Sequence, residues 1–126
     1  MPKKKNQLEF DRRGGAIVFS RAMRTSPVYE TMPAAAKVLM DLLQLYWCND
    51  KPVSYGVREA AGKIRCNLKT AVKMFNVLKD RGFIECVNES LFNSRTGSKT
   101  REWRLTWMPF NDKPPTHNWE KWQPEK

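Results

Sequence analysis

The chain has little of what side-chain catalysis requires. Its single histidine, His117, lies in a proline-rich tail, and its 13 acidic residues are scattered without a paired nucleophile or a metal-ligand pattern. The position of this only histidine in such a tail argues against a His-rich metal site and against the usual histidine partner of a serine or cysteine nucleophile. We therefore expect no catalytic residue, no metal and no cofactor, and predict that the protein is not an enzyme.

Cysteine is also scarce. Cys48, Cys66 and Cys86 form no CxxC pair, and an odd number of cysteines cannot be fully paired within one chain. Buried free thiols are the expected state of these residues.

Long hydrophobic runs are missing as well. The longest, residues 38–47, is interrupted by Asp41 and Gln44 and is too short to cross a bilayer. The basic amino end is followed by Glu9 and Asp11 rather than by an apolar secretory segment. These features predict a cytoplasmic protein that makes no use of a membrane.

Positive charge is what the chain has in excess. It carries 23 lysines and arginines against 13 acidic residues, a formal net charge of +10. Residues 54–104 contain eleven basic and five acidic residues, so most of the excess lies there. Such a field attracts polyanions such as nucleic acid or anionic lipid.

Periodicity and turn signals divide the chain into a flexible basic arm (1–15), one domain (16–107) and a tail containing proline and tryptophan (108–126). The β-branched and aromatic run at 16–20 predicts a strand, followed by a loop, and Ser26 predicts a cap for one helical turn at 28–31. Apolar residues at intervals of three and four predict a long amphipathic helix over 33–48, which ends at a turn, 49–52.

The middle of the chain predicts two helices joined by a short turn. Ser54 is placed to cap a helix over 55–64, and Asn67 is placed to cap a second one over 68–81, which Gly82 stops. Strands are predicted at 83–87 and 100–107, paired as a hairpin around a polar loop at 88–99. The predicted fold class is α+β, mostly helical, with a three-helix core and a small antiparallel hairpin.

Four short stretches carry a resemblance to a known family: Ser54-Tyr55-Gly56-Val57-Arg58-Glu59-Ala60-Ala61, Asn67-Leu68-Lys69-Thr70-Ala71, Leu78-Lys79-Asp80-Arg81-Gly82-Phe83-Ile84 and Trp103-Arg104-Leu105-Thr106. Over residues 26–107 the chain resembles the winged helix-turn-helix proteins of bacterial and phage regulators and replication initiators. The resemblance implies that the helix at 68–81 enters the major groove of double-stranded DNA, while the wing at 88–99 grips phosphates or the minor groove. The long wing and the aromatic tail depart from the family.

The candidate DNA-binding residues lie on these elements. Several on helix 68–81 are expected to face away from its apolar stripe, so that their donors reach phosphates or base edges. Others lie on the preceding helix, where the alternative to DNA contact is a helix cap or a charge that only keeps the protein soluble. The rest lie in the wing, where the alternative is a solvated loop without DNA contacts. The full set is Ser54, Tyr55, Arg58, Asn67, Lys69, Thr70, Lys73, Asn76, Arg95, Lys99 and Arg101.

The tryptophans are interpreted mainly as core residues. Trp47, Trp103 and Trp107 fall on elements with apolar partners. Trp119 and Trp122 either pack back onto the same chain or bind a partner protein. The second alternative supports a different function, a phage-type inhibitor or adaptor that binds a protein or nucleoprotein complex. A homodimer through helix 33–48 or the tail also stays open.

Overall fold

A computed structural model describes residues 11, 13–87 and 101–124. Most of the predicted basic arm and the predicted wing, with Arg95 and Lys99, lie outside the described residues. In chain order the elements are α1 (Arg21–Arg24), α2 (Pro27–Glu30), α3 (Ala34–Leu45), β1 (Val53–Ser54), α4 (Val57–Ile64), α5 (Leu68–Asp80), β2 (Ile84–Cys86), β3 (Glu102–Leu105) and a 3₁₀ helix (Asn118–Lys121). The predicted α+β class is confirmed, with a small antiparallel sheet beside the helices.

The segment before α1 differs from its prediction. The strand predicted at 16–20 is wrong, because this stretch pairs with no strand of the sheet; the amide of Gln44 on α3 donates to the carbonyl of Val18 at 3.1 Å. The predicted loop that follows contains α1, whose first turn is capped by the hydroxyl of Ser20 accepting from the Met23 N–H at 3.2 Å. A four-residue helix has too few residues to show periodicity in the sequence.

The next two helices follow their predictions. Ser26 caps α2 by accepting from the N–H of Tyr29, as expected. The long helix is confirmed as α3, with Ala36, Leu39 and Leu43 buried on its inner face. It ends at Leu45, three residues before the predicted end.

The start of α4 corrects a prediction. Ser54 does not cap this helix, because its backbone belongs to β1, where Val53 pairs with Trp103 and Ser54 with Glu102. The pairing keeps the chain extended, so that α4 begins two residues later than predicted, at Val57, with Gly56 as N-cap and no side-chain cap bond.

The predicted hairpin is confirmed and gains a third strand. β2 pairs antiparallel with β3, with Ile84 opposite Leu105, and β1 pairs with the other edge of β3. The central strand β3 therefore supplies Trp103, 2% exposed, to the core, where it stacks on Phe75 of α5 at 5.5 Å between ring centroids.

A buried polar contact joins α3 to the end of the sheet. Gln44, 7% exposed, accepts from the indole N–H of Trp107 at 2.7 Å. The predictions that Trp103 and Trp107 belong to the core are confirmed, and Trp47 is half-buried beside them, with its indole N–H donating to the carbonyl of Pro109 at 3.0 Å.

The tail packs onto the domain. Trp119 is 7% exposed and stacks on Phe83 at 6.2 Å, while the guanidinium of Arg81 lies 4.4 Å from the ring centroid of Trp122. The alternative in which these tryptophans pack on the same chain is confirmed, and Trp119 is not an exposed anchor for a partner. The core thus extends beyond residue 107.

The structure also bears on two other sequence predictions, the state of the cysteines and the capacity of the helices to span a membrane. Cys48, Cys66 and Cys86 are free thiols, as predicted, but each is half-buried rather than buried. Among the helices of the described ranges, none combines the length and apolar character that crossing a bilayer demands.

Gly62 offers a test of helix energetics. It lies inside α4, is exposed, and a Cβ added there would meet no atom within 4 Å. Because glycine in a helix interior costs about 0.5–1 kcal/mol relative to alanine, Gly62→Ala is expected to raise the free energy of unfolding by that amount. Urea denaturation followed by circular dichroism measures it; a loss of stability would show that the backbone at this position is not the regular helix described.

Candidate nucleic-acid interface

Helices α4 and α5 are joined by a tight turn. Arg65 adopts the left-handed conformation, φ 67° and ψ 53°, and its N–H bonds to the carbonyl of Ala61 at 2.8 Å. Asn67 then caps α5, with its side-chain oxygen accepting from the N–H of Thr70 at 2.7 Å, as predicted. The two helices pack against each other and against α3, so the turn presents α5 in a fixed orientation.

The inner face of α5 is apolar and anchors the helix. Ala71, Met74, Phe75 and Leu78 are all buried, which confirms the predicted stripe. The helix ends at Asp80, one residue before the predicted end, and Gly82, with φ +84°, follows the C-cap as the predicted left-handed residue. This anchoring leaves the opposite face of α5 free for a partner.

The outer face of α5 is polar and positive. Lys69, Lys73 and Asn76 are exposed and follow one another at intervals of four and three residues, so they lie on one side of the helix. Thr70 is half-buried on the flank, and the Asn67 side-chain oxygen is engaged in the cap. Asp80, four residues after Asn76, is the acidic member of the same face.

The surrounding charge is also mainly positive. Residues 57–80 carry six basic and two acidic side chains. Arg58, Lys63, Arg65, Lys69 and Lys73 are exposed, and none of them makes an ion pair within residues 13–87 and 101–124. Their charges are therefore available to an anionic partner.

The structure changes the predicted DNA contacts of two residues near the start of α4, Tyr55 and Ser54. Tyr55 is 2% exposed, and its hydroxyl has no access to solvent, so it does not present a donor to a phosphate. Burial raises the pKa of this hydroxyl, with smaller contributions from Glu59 and Tyr46. The sequence pattern did not predict the burial of Tyr55, because the strand before it, β1, is only two residues long. The extended backbone of this strand turns the Tyr55 ring inward. Ser54 is exposed, but on β1 rather than at the helix terminus.

The wing side of the predicted interface is only partly described. Arg101 immediately precedes β3 and is half-buried. It lines a cavity together with Val72 of α5 and Trp103 of β3. Arg101 thus lies close to α5, whereas Arg95 and Lys99 fall outside the described residues.

Two apolar residues on α5 were missed by the sequence analysis. Leu68 is 44% exposed and Val72 43% exposed, next to the exposed lysines. Leu68 lies three residues before Ala71 and Val72 lies three residues before Phe75, so both continue the helical spacing of the apolar stripe and the sequence pattern alone does not mark them as exposed. Exposed methyl groups on such a helix can contact thymine methyl groups in the major groove.

No group of three or more histidine, cysteine or acidic residues in the described ranges is arranged to hold a metal ion. Comparison of the chain with family models, with curated proteins and with solved structures found no match. The proposals below therefore depend on the geometry of the chain itself and on the resemblance noted in its sequence.

Proposed function

We propose that the protein is a winged helix-turn-helix protein that binds double-stranded DNA, as a transcriptional regulator or replication-associated factor. The observation that carries the proposal is the outer face of α5, where exposed, unpaired Lys69 and Lys73 lie beside Asn76 on the second helix of a helix-turn-helix unit. The order of α3, α4, α5 and the hairpin of β2 and β3 supports the winged-helix assignment.

The proposed mode of binding places α5 in the major groove. The groove is about 12 Å wide and admits one α-helix. Asn76 is the side chain suited to bidentate hydrogen bonding with adenine, and Lys69 and Lys73 reach guanine edges or phosphates. Leu68 and Val72 supply apolar contacts beside them.

The helix before it supplies backbone contacts. Arg58 and Lys63 on α4 and Arg65 in the turn are exposed cations on the same helix-turn-helix unit. Phosphate contacts of this kind fix the position of the protein on the duplex without reading its sequence. Arg101, close to α5, extends these contacts, and the resemblance assigns phosphate contacts to Arg95 and Lys99 as well, which lie outside the described residues.

A fluorescence anisotropy titration with mixed-sequence duplex DNA tests the proposal. Four phosphate contacts give a salt dependence that weakens binding on the order of 100-fold between about 50 mM and about 200 mM salt. A single-stranded oligonucleotide of the same length serves as the control and is expected to bind more weakly. Absence of duplex binding at the lower salt concentration would overturn the proposal and direct the search to an acidic protein partner.

Asp80 provides a test with the opposite sign. This exposed carboxylate shares the outer face of α5 with the two lysines and repels phosphates. Asp80→Asn is expected to tighten duplex binding about threefold at low salt, since exposed charge interactions contribute about 0.2–1 kcal/mol. The same titration measures it, with Asp41→Asn on the exposed side of α3 as the matched control. Equal affinity for the two variants would place the DNA elsewhere than on the α5 face.

A further inference from the structure

A cavity of about 220 Å³ lies between α5 and the sheet. Its walls come from the segment between β1 and α4, the start of α4, the flank of α5 and the start of β3. The lining residues are Tyr55, Val57, Val72, Phe75, Arg101 and Trp103.

One wall of the cavity is formed by aromatic rings. Phe75 and Trp103 stack at 5.5 Å with an angle of 22° between their planes. Trp103 is 2% exposed, and its indole N–H is buried without a hydrogen-bond partner. A buried, unpaired donor of this kind costs about 1–3 kcal/mol, and because it has no access to solvent it is not a contact for a ligand in the cavity.

Among the described residues that line the cavity, Arg101 supplies the positive charge. Arg101 is half-buried and makes no ion pair within the described part of the chain. A guanidinium binds a carboxylate through two parallel hydrogen bonds. Apolar walls with a few convergent polar groups are typical of small-molecule sites.

We propose that this cavity binds a small aromatic carboxylate. The ring of the ligand packs among Val57, Val72 and Phe75, and its carboxylate accepts hydrogen bonds from the guanidinium of Arg101. The cavity shares Val72 and Arg101 with the proposed DNA contacts, but ligand binding is measured without DNA, so its test does not depend on DNA binding. Because the cavity lies between α5 and β3, an occupant would restrain α5 relative to β3.

Titration of the ¹⁵N-labelled full chain with benzoate and 2-naphthoate tests the proposal. A saturable shift of the Trp103 indole N–H resonance is expected, together with shifts of the Val72 and Arg101 amides. Benzamide, which has the same ring without the charge, is expected to bind about tenfold more weakly, since a charge-assisted bond is about twice as strong as a neutral one.

Two variants locate the ligand. Arg101→Gln is expected to weaken benzoate binding about tenfold by removing the guanidinium, whereas Lys113→Gln, an exposed cation on the tail, leaves it unchanged. Val72→Phe fills the cavity from its exposed rim and is expected to abolish the shift while the spectrum stays dispersed. The absence of saturable shifts with both acids would overturn the proposal, as would binding that neither Arg101→Gln nor Val72→Phe alters.

Discussion

Joint replacement of Lys69 and Lys73 by alanine is expected to weaken duplex DNA binding about 30-fold at about 0.15 M salt. Each phosphate contact contributes about 0.9 to the slope of log K against log salt concentration, and two contacts at this ionic strength correspond to that loss. Both side chains are exposed on α5, away from its buried stripe, so the free energy of unfolding should change little. Fluorescence anisotropy at several salt concentrations gives the affinity and the slope, which should fall by about two.

The matched control is Lys113→Ala with Lys121→Ala. These two lysines are also exposed, and their replacement lowers the net charge by the same amount at the tail rather than on α5. We expect this variant to lose far less affinity than the α5 variant. Equal losses in the two variants would mean that DNA responds only to net charge, and the assignment of α5 as the recognition helix would fail.

Gly82→Ala is expected to lower the free energy of unfolding by about 2–5 kcal/mol, from strain of about 1–2 kcal/mol at a positive φ and overpacking of about 1–3 kcal/mol. Gly82 has φ +84°, and a Cβ there would lie 2.8 Å from the carbonyl carbon and oxygen of Asn118. The added Cβ would therefore disturb both the left-handed turn after α5 and the packing of the tail at Asn118. Urea denaturation monitored by circular dichroism measures the change.

Two other substitutions separate these causes. Gly82→Asn retains the contact with Asn118 but reduces the conformational strain, because asparagine tolerates the left-handed region. It should therefore recover only part of the loss. Gly62→Ala is the same chemical change in open space and is expected to stabilise the protein. If Gly82→Ala left the stability within about 0.5 kcal/mol of the native chain, the close packing of the tail on Gly82 would be wrong.

The longer helices were predictable because their patterns extend over several turns. Ala71, Phe75 and Leu78 recur at helical intervals, and Asn67 and Gly82 mark the two ends of α5 with side-chain and backbone chemistry that acts locally. The pairing of β2 with β3 follows from two β-rich runs close together in the sequence. These features depend on neighbours along the chain.

The features that were mispredicted depend on distant partners. Ser54 has the chemistry of a helix cap, but the pairing of Val53 with Trp103, fifty residues away, draws it into β1. Tyr55, which directly follows β1, is buried in the core and is therefore not part of the candidate interface. The run at 16–20 has strand-forming residues, yet it meets Gln44 of α3 instead of a sheet edge.

The candidate site was predictable in part for the same reason. Lys69, Lys73 and Asn76 could be assigned to an exposed face from the period of α5 alone. The cavity beside Val72 and Arg101 could not, because its walls come from three stretches of the chain, 55–57, 72–75 and 101–103, that meet only in the folded protein.

Chemical-shift mapping of the ¹⁵N-labelled protein during titration with duplex DNA tests the central claim most directly. The account predicts that the largest shifts and broadening occur at Asn67, Lys69, Lys73 and Asn76 on α5, with smaller effects at Arg58 on α4, and little change around Trp119. Shifts concentrated on the tail or on the exposed side of α3, with α5 unperturbed, would contradict it.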